Sequence, residues 1–300
     1  MTRPRGCLTS RGGQGSVTQE DIARDAGVQE IAWAKINLAL HVRARRKDGY
    51  HEIESLFAFV DDGDRIDVCP ADGLSLAITG PFGDDLTVDD DNLVLRAAHA
   101  MQAYFGVTQG AAILLDKRLP IAAGLGGGSA DAAAVARALN RLWGLGADDA
   151  SLISAIGSLG ADVPVCVASR MVTGRGVGDE MTPFARAPEY QGRPLLLVNP
   201  CIPCPTGPVF RVWDGLDRGA MGEDAAHWRN DLEAGAVTLV PVIADVLDAL
   251  HAVGGAERVR MSGSGATCFA LFYDVALRDD AAKKLRALHP DWWTMTGALL

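Results

Sequence analysis

The chain has 300 residues, 48% of them hydrophobic, which suggests about two domains at ~150 residues each and enough apolar side chains to build their cores. Its formal net charge of -10 argues against nucleic acid or an anionic membrane as a main partner, because phosphates in bulk are held by basic surfaces. No apolar run reaches the ~18 residues of a membrane helix, no apolar signal core opens the chain, and its 6 cysteines show no framework spacing, so a cytoplasmic protein in a reducing compartment is expected.

Residues 1–28 combine Arg3, Arg5 and Arg11 with glycine and serine and carry no hydrophobic period, which reads as a disordered N-terminal extension. From residue 31 the pattern alternates. Ala34, Ile36, Leu38, Leu40 and Val42 fall on one face of a strand, and Trp33, Lys35, Asn37, Ala39 and His41 on the other, so Lys35 and Asn37 share a face. Asp48-Gly49 signals a hairpin turn into a second strand over 50–60, and short strands are expected at 65–69 and 74–78. Tyr50 and His51, adjacent on a strand, point opposite ways, so both reach one pocket only if the turn twists the chain.

A helix is predicted over 92–105, a strand over 111–115, and helices over 131–143 and 148–159. Ala161-Asp162-Val163-Pro164 then reads as a helix-to-strand junction, with Asp162 in the extended geometry favoured shortly before proline. Beyond residue 176 the pattern suggests a strand at 195–198, a proline-rich loop through 210, a helix over 239–252 and a glycine turn at 262–265 entering a hydrophobic strand. Helices and strands mix without a regular βαβα beat, so an α+β fold of two sheet-and-helix layers is expected, divided into domains at 29–175 and 176–300.

Ahead of the long helix lies Pro120-Ile121-Ala122-Ala123-Gly124-Leu125-Gly126-Gly127-Gly128-Ser129-Ala130. Glycines at 124, 126, 127 and 128 permit positive φ and let backbone N–H groups approach an anion with no Cβ in the way. The helix, capped by Ser129 or a neighbour, aims its unpaired N–H groups and positive dipole end at the same place. An oligophosphate is the natural occupant. The loop is not a Walker A motif, since no Gly-Lys-Ser/Thr closes it, and Ser129 stands where a dinucleotide fingerprint has its third glycine; a tight connecting turn is the alternative reading.

Phosphoryl transfer asks for a phosphate cradle, positive charge at the transferred group and an acceptor for the hydroxyl proton. Lys35 and Asp162 are candidates for the last two; taken singly, each reads as a solvated lysine and a turn aspartate. Cys201-Ile202-Pro203-Cys204 has no second pair or nearby histidine, so no protein metal site is expected, and the absence of G-x-S-x-G and H-E-x-x-H patterns removes support for a hydrolase. The cluster Arg43, Arg45, Arg46, Lys47 reads as a solvated turn that could also steer an anion.

Together with Ala34-Lys35-Ile36-Asn37 and Gly263-Ser264-Gly265-Ala266, the glycine loop resembles that of the GHMP kinases, which act on galactose, homoserine, mevalonate and phosphomevalonate. Asp48-Gly49-Tyr50-His51, Lys117-Arg118-Leu119-Pro120, Gly160-Ala161-Asp162-Val163-Pro164 and Asn230-Asp231-Leu232-Glu233, in order across 32–272, resemble within that group the 4-diphosphocytidyl-2-C-methylerythritol kinase family of the non-mevalonate isoprenoid (terpenoid) pathway. The resemblance implies a two-domain GHMP-kinase-like fold with the active-site groove between domains. It also implies ATP as cofactor, accompanied by Mg2+, and transfer of the γ-phosphate to the 2-hydroxyl of a small-molecule substrate carrying cytidine diphosphate. A mevalonate- or homoserine-type kinase, or more remotely a non-catalytic nucleotide-binding regulator, is the alternative.

Residue by residue, the resemblance implies Asp162 as catalytic base and Lys35 beside it, where a cation stabilises developing negative charge. It places Asn37 nearby, Tyr50 and Phe210 on the faces of a cytosine ring and His51 at its edge, since stacking supplies area and edge contacts supply selectivity. Asn92, Leu93 and Lys117 match positions around adenine, and Thr206 a substrate-loop position. Ser129 is a candidate beside Mg2+, for which no acidic ligand stands out. Ala122 and Ala123 depart from family glycines, and Gly207 sits in an unusual Cys-Pro-Thr-Gly-Pro loop. A monomer or weak homodimer binding neither nucleic acid nor membrane is expected.

Overall fold

A computed structural model describes residues 27–89, 91–222 and 224–300. The expected extension over 1–28 lies outside the described residues apart from Gly27 and Val28, and Val28 already opens the first strand. That strand, β1 (Val28–Arg45), pairs with β2 (His51–Ala71) in a long antiparallel hairpin running from Val28↔Val68 to Arg45↔His51. The strands expected separately at 50–60 and 65–69 are therefore one. Asp61-Asp62-Gly63-Asp64 looks like a turn in sequence, but a bulge between the Trp33 and Lys35 pairings takes up the extra residues without ending the ladder.

Around this hairpin, β3 (Leu74–Thr79), β4 (Gly110–Asp116), β5 (Val172–Arg175) and β6 (Glu180–Pro183) complete a six-stranded sheet of order β3-β4-β2-β5-β6, with β1 on β2 and only the β3–β4 pair parallel. Four helices pack into one core with it: α1 (Leu93–Phe105), α2 (Gly127–Leu142), α3 (Asp149–Ile156) and α4 (Val163–Ala168). Asn92 caps α1 by accepting from Val94 N, and Gly106 ends it in the left-handed region. Helix α2 is buried on most sides, which its Ala130, Ala132, Ala133, Ala134, Ala136 and Ala138 allow because small side chains let neighbouring backbones approach.

The second layer is an antiparallel sheet of β7 (Pro194–Asn199), β8 (Arg258–Met261), β9 (Cys268–Leu271) and β10 (Trp293–Ala298) in the order β10-β7-β9-β8. It carries α5 (Thr206–Arg211), α6 (Glu233–Leu239), α7 (Val242–Ala252) and α8 (Val275–Leu288). The β1–β2 hairpin joins the layers: Leu40, Val42 and Ile53 bury in the second core with Leu196, Ile243 and Val246. Leu40 N also donates to Arg229 O, and Asp231 N to Leu40 O, both at 2.8 Å.

Several expectations need correction. Helix α2 begins at Gly127 behind an N-terminal Gly126 at φ 64, so Ser129 lies inside its first turn and caps nothing. The segment after Asp162 is helical, because Pro164 falls in the first turn of α4, where its missing N–H leaves no bond unmade; Asp162 itself is at φ -86 and ψ -7, not extended. The proline-rich stretch ends in α5, and the glycine turn at 262–265 joins two strands, β8 and β9. Helix α7 starts after Pro241, with α6 preceding it. The β5–β6 hairpin pairs Arg175 with Glu180 and so straddles the expected 175/176 division. Among the described residues no helix is long and apolar enough to cross a membrane.

Candidate active site

The alternation of β1 puts Lys35 and Asn37 on one face, and the structure uses it directly. Lys35 Nζ donates to Asn37 Oδ1 at 3.0 Å and lies 3.2 Å from Asp162 Oδ2. Asn37 is itself held, its Nδ2 donating to Ser55 Oγ at 2.7 Å while that hydroxyl donates to Ala39 O at 2.8 Å. The Phe57 ring lies 5.4 Å from the ammonium. Lysine is thus buried and fixed from below, whereas the Asp162 side chain keeps 36% exposure.

The glycine loop passes against this pair. Lys35 N donates to Leu125 O at 3.0 Å, and a Cβ on Gly126 would stand 2.9 Å from Lys35 Cε and 3.5 Å from Asp162 Oδ2. Gly124, at φ 74, could carry no side chain either, since a Cβ there would overlap the Ser262 carbonyl. Positive φ is confined to these two of the four glycines; Gly127 and Gly128 are helical and contribute first-turn N–H groups instead. Ala122 also takes positive φ, at 51, where glycine would be unstrained.

A second glycine turn backs the first. Ser262 Oγ donates to Gly124 O at 2.9 Å and accepts from Asn37 N at 3.2 Å. Asn230 Nδ2 ties that turn down through Met261 O and Gly263 O, Asp231 accepts from Val42 N, and Glu233 from Met261 N. The Asn230-to-Glu233 motif is therefore a brace behind the site.

Lys35, Asn37, Asp162 and the glycine loop face one cleft of about 1070 Å³, lined by Pro120, Ile121, Ala122, Ala123, Gly124 and the first turn from Gly126 to Ser129, with Leu125 and Ala130 buried behind it. At one end stand Asn92, whose Nδ2 donates to Thr87 O at 2.9 Å, and Leu93. Lys117 lines the same end, but its Nζ is held 2.6 Å from both Asp64 Oδ2 and Asp131 Oδ2. Asp64 Oδ1 accepts further from Arg118 N and Leu119 N. The cluster is a clasp across the two ends of the glycine loop, Lys117 before it and Asp131 after it. Burial, with the Asp64 charge adding to it against the pull of Lys117, pushes the Asp131 carboxyl up to about 8; its Oδ1 has no hydrogen-bond partner.

At the other end, Tyr50 precedes β2 in the turn and is 61% exposed, while His51 opens the strand and is buried. Both line the cleft because Tyr50 lies in the turn and not on the strand, so strand alternation does not separate them; its N donates to Asp48 Oδ1. The His51 ring lies 4.9 Å from Phe210 and edge-on to Trp213 at 5.6 Å. Burial, then the Arg45 guanidinium, holds its pKa below the ordinary value. Thr206 Oγ1 is 3.0 Å from Ser264 Oγ. Cys201 and Cys204 are free thiols, and the buried Cys204 donates through Sγ to Ser264 O, so the pair packs the loop. The arginine cluster is only partly a solvated turn: Arg46, paired with Asp48, and Lys47 lie in it, whereas Arg43 and Arg45 belong to β1 and the half-buried Arg43 pairs with Asp217. Among the described residues no group of three or more His, Cys, Asp or Glu is arranged to hold a metal ion.

Sequence reasoning did not single out Asp64, Asp131, Ser55, Ser262 or Arg211. For Asp131 a signal existed: it is the only charged residue in the alanine run 130–136, and an acid there requires a buried partner.

The chain matches the models of the GHMP kinases N terminal domain over residues 92–170 and of the GHMP kinases C terminal domain over residues 215–292. The 4-diphosphocytidyl-2-C-methyl-D-erythritol kinase of Rhizorhabdus wittichii is 52% identical over 277 residues, covering 90% of this chain and 94% of the relative. That of Novosphingobium aromaticivorans is 51% identical over 281 residues, covering 92% and 94%. A crystal structure of 4-(cytidine 5'-diphospho)-2C-methyl-D-erythritol kinase superposes with a TM-score of 0.76 at 36% identity over 91% of this chain and 99% of its own. Homoserine kinase from Cytophaga hutchinsonii, at 18% identity and a TM-score of 0.63 over 89% and 95%, shares the fold. With relatives of this identity across nearly the whole chain, and with both sheet-and-helix layers of the fold in common, the chain belongs to the 4-diphosphocytidyl-2-C-methyl-D-erythritol kinase family of the GHMP kinases.

Proposed function

We propose that this chain transfers the γ-phosphate of ATP to the 2-hydroxyl of 4-diphosphocytidyl-2-C-methyl-D-erythritol, a step of the non-mevalonate isoprenoid pathway. The observation that carries the reading is the 3.2 Å approach of Lys35 Nζ to Asp162 Oδ2 against Gly126, in a cleft whose far wall is made by Tyr50, His51 and Phe210. In this reading the six-stranded layer with its helices holds ATP, and the four-stranded layer, through α5, completes the substrate end.

Amide groups of the loop and of the first turn of α2 cradle the phosphates, and Asn92 and Leu93 flank the adenine. Lys117 acts from beneath, closing the loop through Asp131. The substrate oxygen forms a bond to the γ-phosphorus as the bond to the bridging oxygen of ADP breaks, and the hydroxyl proton passes to Asp162. Lys35, held by Asn37, orients that carboxylate and stabilises charge developing on the transferred group. Tyr50 and Phe210 stack on the cytosine and His51 addresses its edge. Magnesium fits this cleft modestly: the Ser129 hydroxyl lines it and makes no hydrogen bond to the described protein, whereas both Asp131 oxygens are buried. Bound with ATP, the ion would screen the phosphate charges, with Ser129 beside it.

The test is ADP release by the purified protein with ATP and magnesium, offered diphosphocytidyl methylerythritol, mevalonate and homoserine in parallel. The cytidine compound is expected to be turned over with by far the highest kcat/KM. A clear preference for either of the others would overturn the reading.

A further inference from the structure

Among the described residues, three cations line the cleft: Lys35, Lys117 and Arg211. Lys35 is paired with Asp162 and Lys117 with both Asp64 and Asp131. Among the described residues, the Arg211 guanidinium has neither a carboxylate nor a hydrogen-bond partner, although its main-chain oxygen accepts from Arg45 Nη2 at 3.3 Å. An unpaired guanidinium facing a cavity keeps its full charge available to whatever enters.

Its position is informative. Arg211 closes α5, and Nη1 would lie 3.5 Å from a Cβ on Gly207, so the side chain folds back along the helix toward its first turn. At that first turn Thr206 Oγ1 meets Ser264 Oγ beside the glycine turns. The residue just before it, Phe210, packs on His51. The guanidinium therefore lies between the aromatic wall and the turns that border the Lys35–Asp162 pair. A molecule whose base rests on Phe210 and whose alcohol reaches Asp162 must run its linking segment past this point.

From this juxtaposition we infer that Arg211 holds the diphosphate of the substrate; the inference rests on the cytidine diphosphate reading above. The guanidinium fork presents paired N–H donors in the geometry that phosphate oxygens accept. The need for it is electrostatic. The chain carries a net charge of -10, and Asp89, Asp91 and Asp162 also line the cleft, so a dianionic linker would be repelled without a local cation. Arg45, by binding the Arg211 carbonyl, ties the hairpin turn that carries Tyr50 and His51 to the end of α5, so the base wall and this cation are held in register.

Titration calorimetry with cytidine and with CDP tests this, on protein saturated with magnesium and a non-hydrolysable ATP analogue so that the glycine loop is occupied. Wild type is expected to bind CDP about ten- to a hundredfold more tightly than cytidine, the range of charge-assisted hydrogen bonds. Arg211→Gln should erase most of that preference while leaving cytidine affinity and the melting temperature unchanged, since the side chain is exposed. Arg211→Lys should restore part of it, and raised salt should weaken CDP binding more in wild type than in Arg211→Gln. A variant that keeps the wild-type preference for CDP would overturn the assignment of Arg211 alone. Wild type that binds neither cytidine nor CDP would overturn the substrate reading and, with it, this proposal.

Discussion

Asn37 stands directly beneath Lys35, its Oδ1 accepting from Nζ at 3.0 Å while its own amide is fixed by Ser55. The lysine that approaches Asp162 is thus aimed by a chain of hydrogen bonds running back to the backbone of β1 at Ala39. Small misplacements of a reacting group cost about a hundredfold in rate. Asn37→Ala is expected to lower kcat by about ten- to a hundredfold while leaving KM for ATP close to wild type, measured by steady-state ADP release.

The glycine loop gives a paired prediction. A methyl group on Gly126 meets Lys35 Cε at 2.9 Å and sits at φ 64, so Gly126→Ala should displace the loop or the lysine and abolish most turnover. Ala122 occupies φ 51 without being glycine, so Ala122→Gly relieves local strain and should be neutral to stabilising by up to about 1 kcal/mol, read by urea denaturation.

The buried clasp should make stability depend on pH. Asp131 has its folded pKa raised to about 8, so the folded chain binds a proton that the unfolded chain releases near its ordinary value of 3.8. Its contribution is full below about 4 and is lost as pH rises through about 8. Asp131→Asn should flatten this slope in urea titrations across the range. Lys117→Met, by contrast, leaves Asp64 buried without its cation and should cost about 3–5 kcal/mol.

Two histidines act with the opposite sign. His41 and His51 both have folded pKa values below the ordinary one, through burial first and then Arg229 and Arg45 respectively. The unfolded chain then takes up protons that the folded chain does not, so stability should fall as pH drops below ~6.5. His41 accepts from Arg229 N, which fixes a neutral ring. His41→Gln should therefore reduce the acid loss in thermal melts, while KM for the cytidine substrate, which depends on neutral His51, should rise in acid in both proteins.

Local patterns carried much of this outcome. The period of two in β1 gave the shared face of Lys35 and Asn37, and the glycine run before an alanine helix gave the loop. Asp162 is legible in the sequence but its helical setting is not, because proline disfavours helix before itself and yet suits the first turn of one. The clasp of residues 64, 117 and 131 is only half legible: an acid inside the alanine run calls for a buried partner, but the partners lie in β2 and in the loop after β4, and nothing local marks them as neighbours. Helix α8 escaped for another reason: it buries only Ala281, Ala282 and Leu285 among many charges, too narrow a stripe for a clear helical period.

The most direct test is a side-by-side measurement of turnover and ATP-analogue binding in Asp162→Asn. The substitution keeps size and removes the proton acceptor, so kcat on diphosphocytidyl methylerythritol should fall by about two to four orders of magnitude while the analogue binds with near wild-type affinity. Turnover within a fewfold of wild type would contradict a proton-accepting role for Asp162 at the glycine loop.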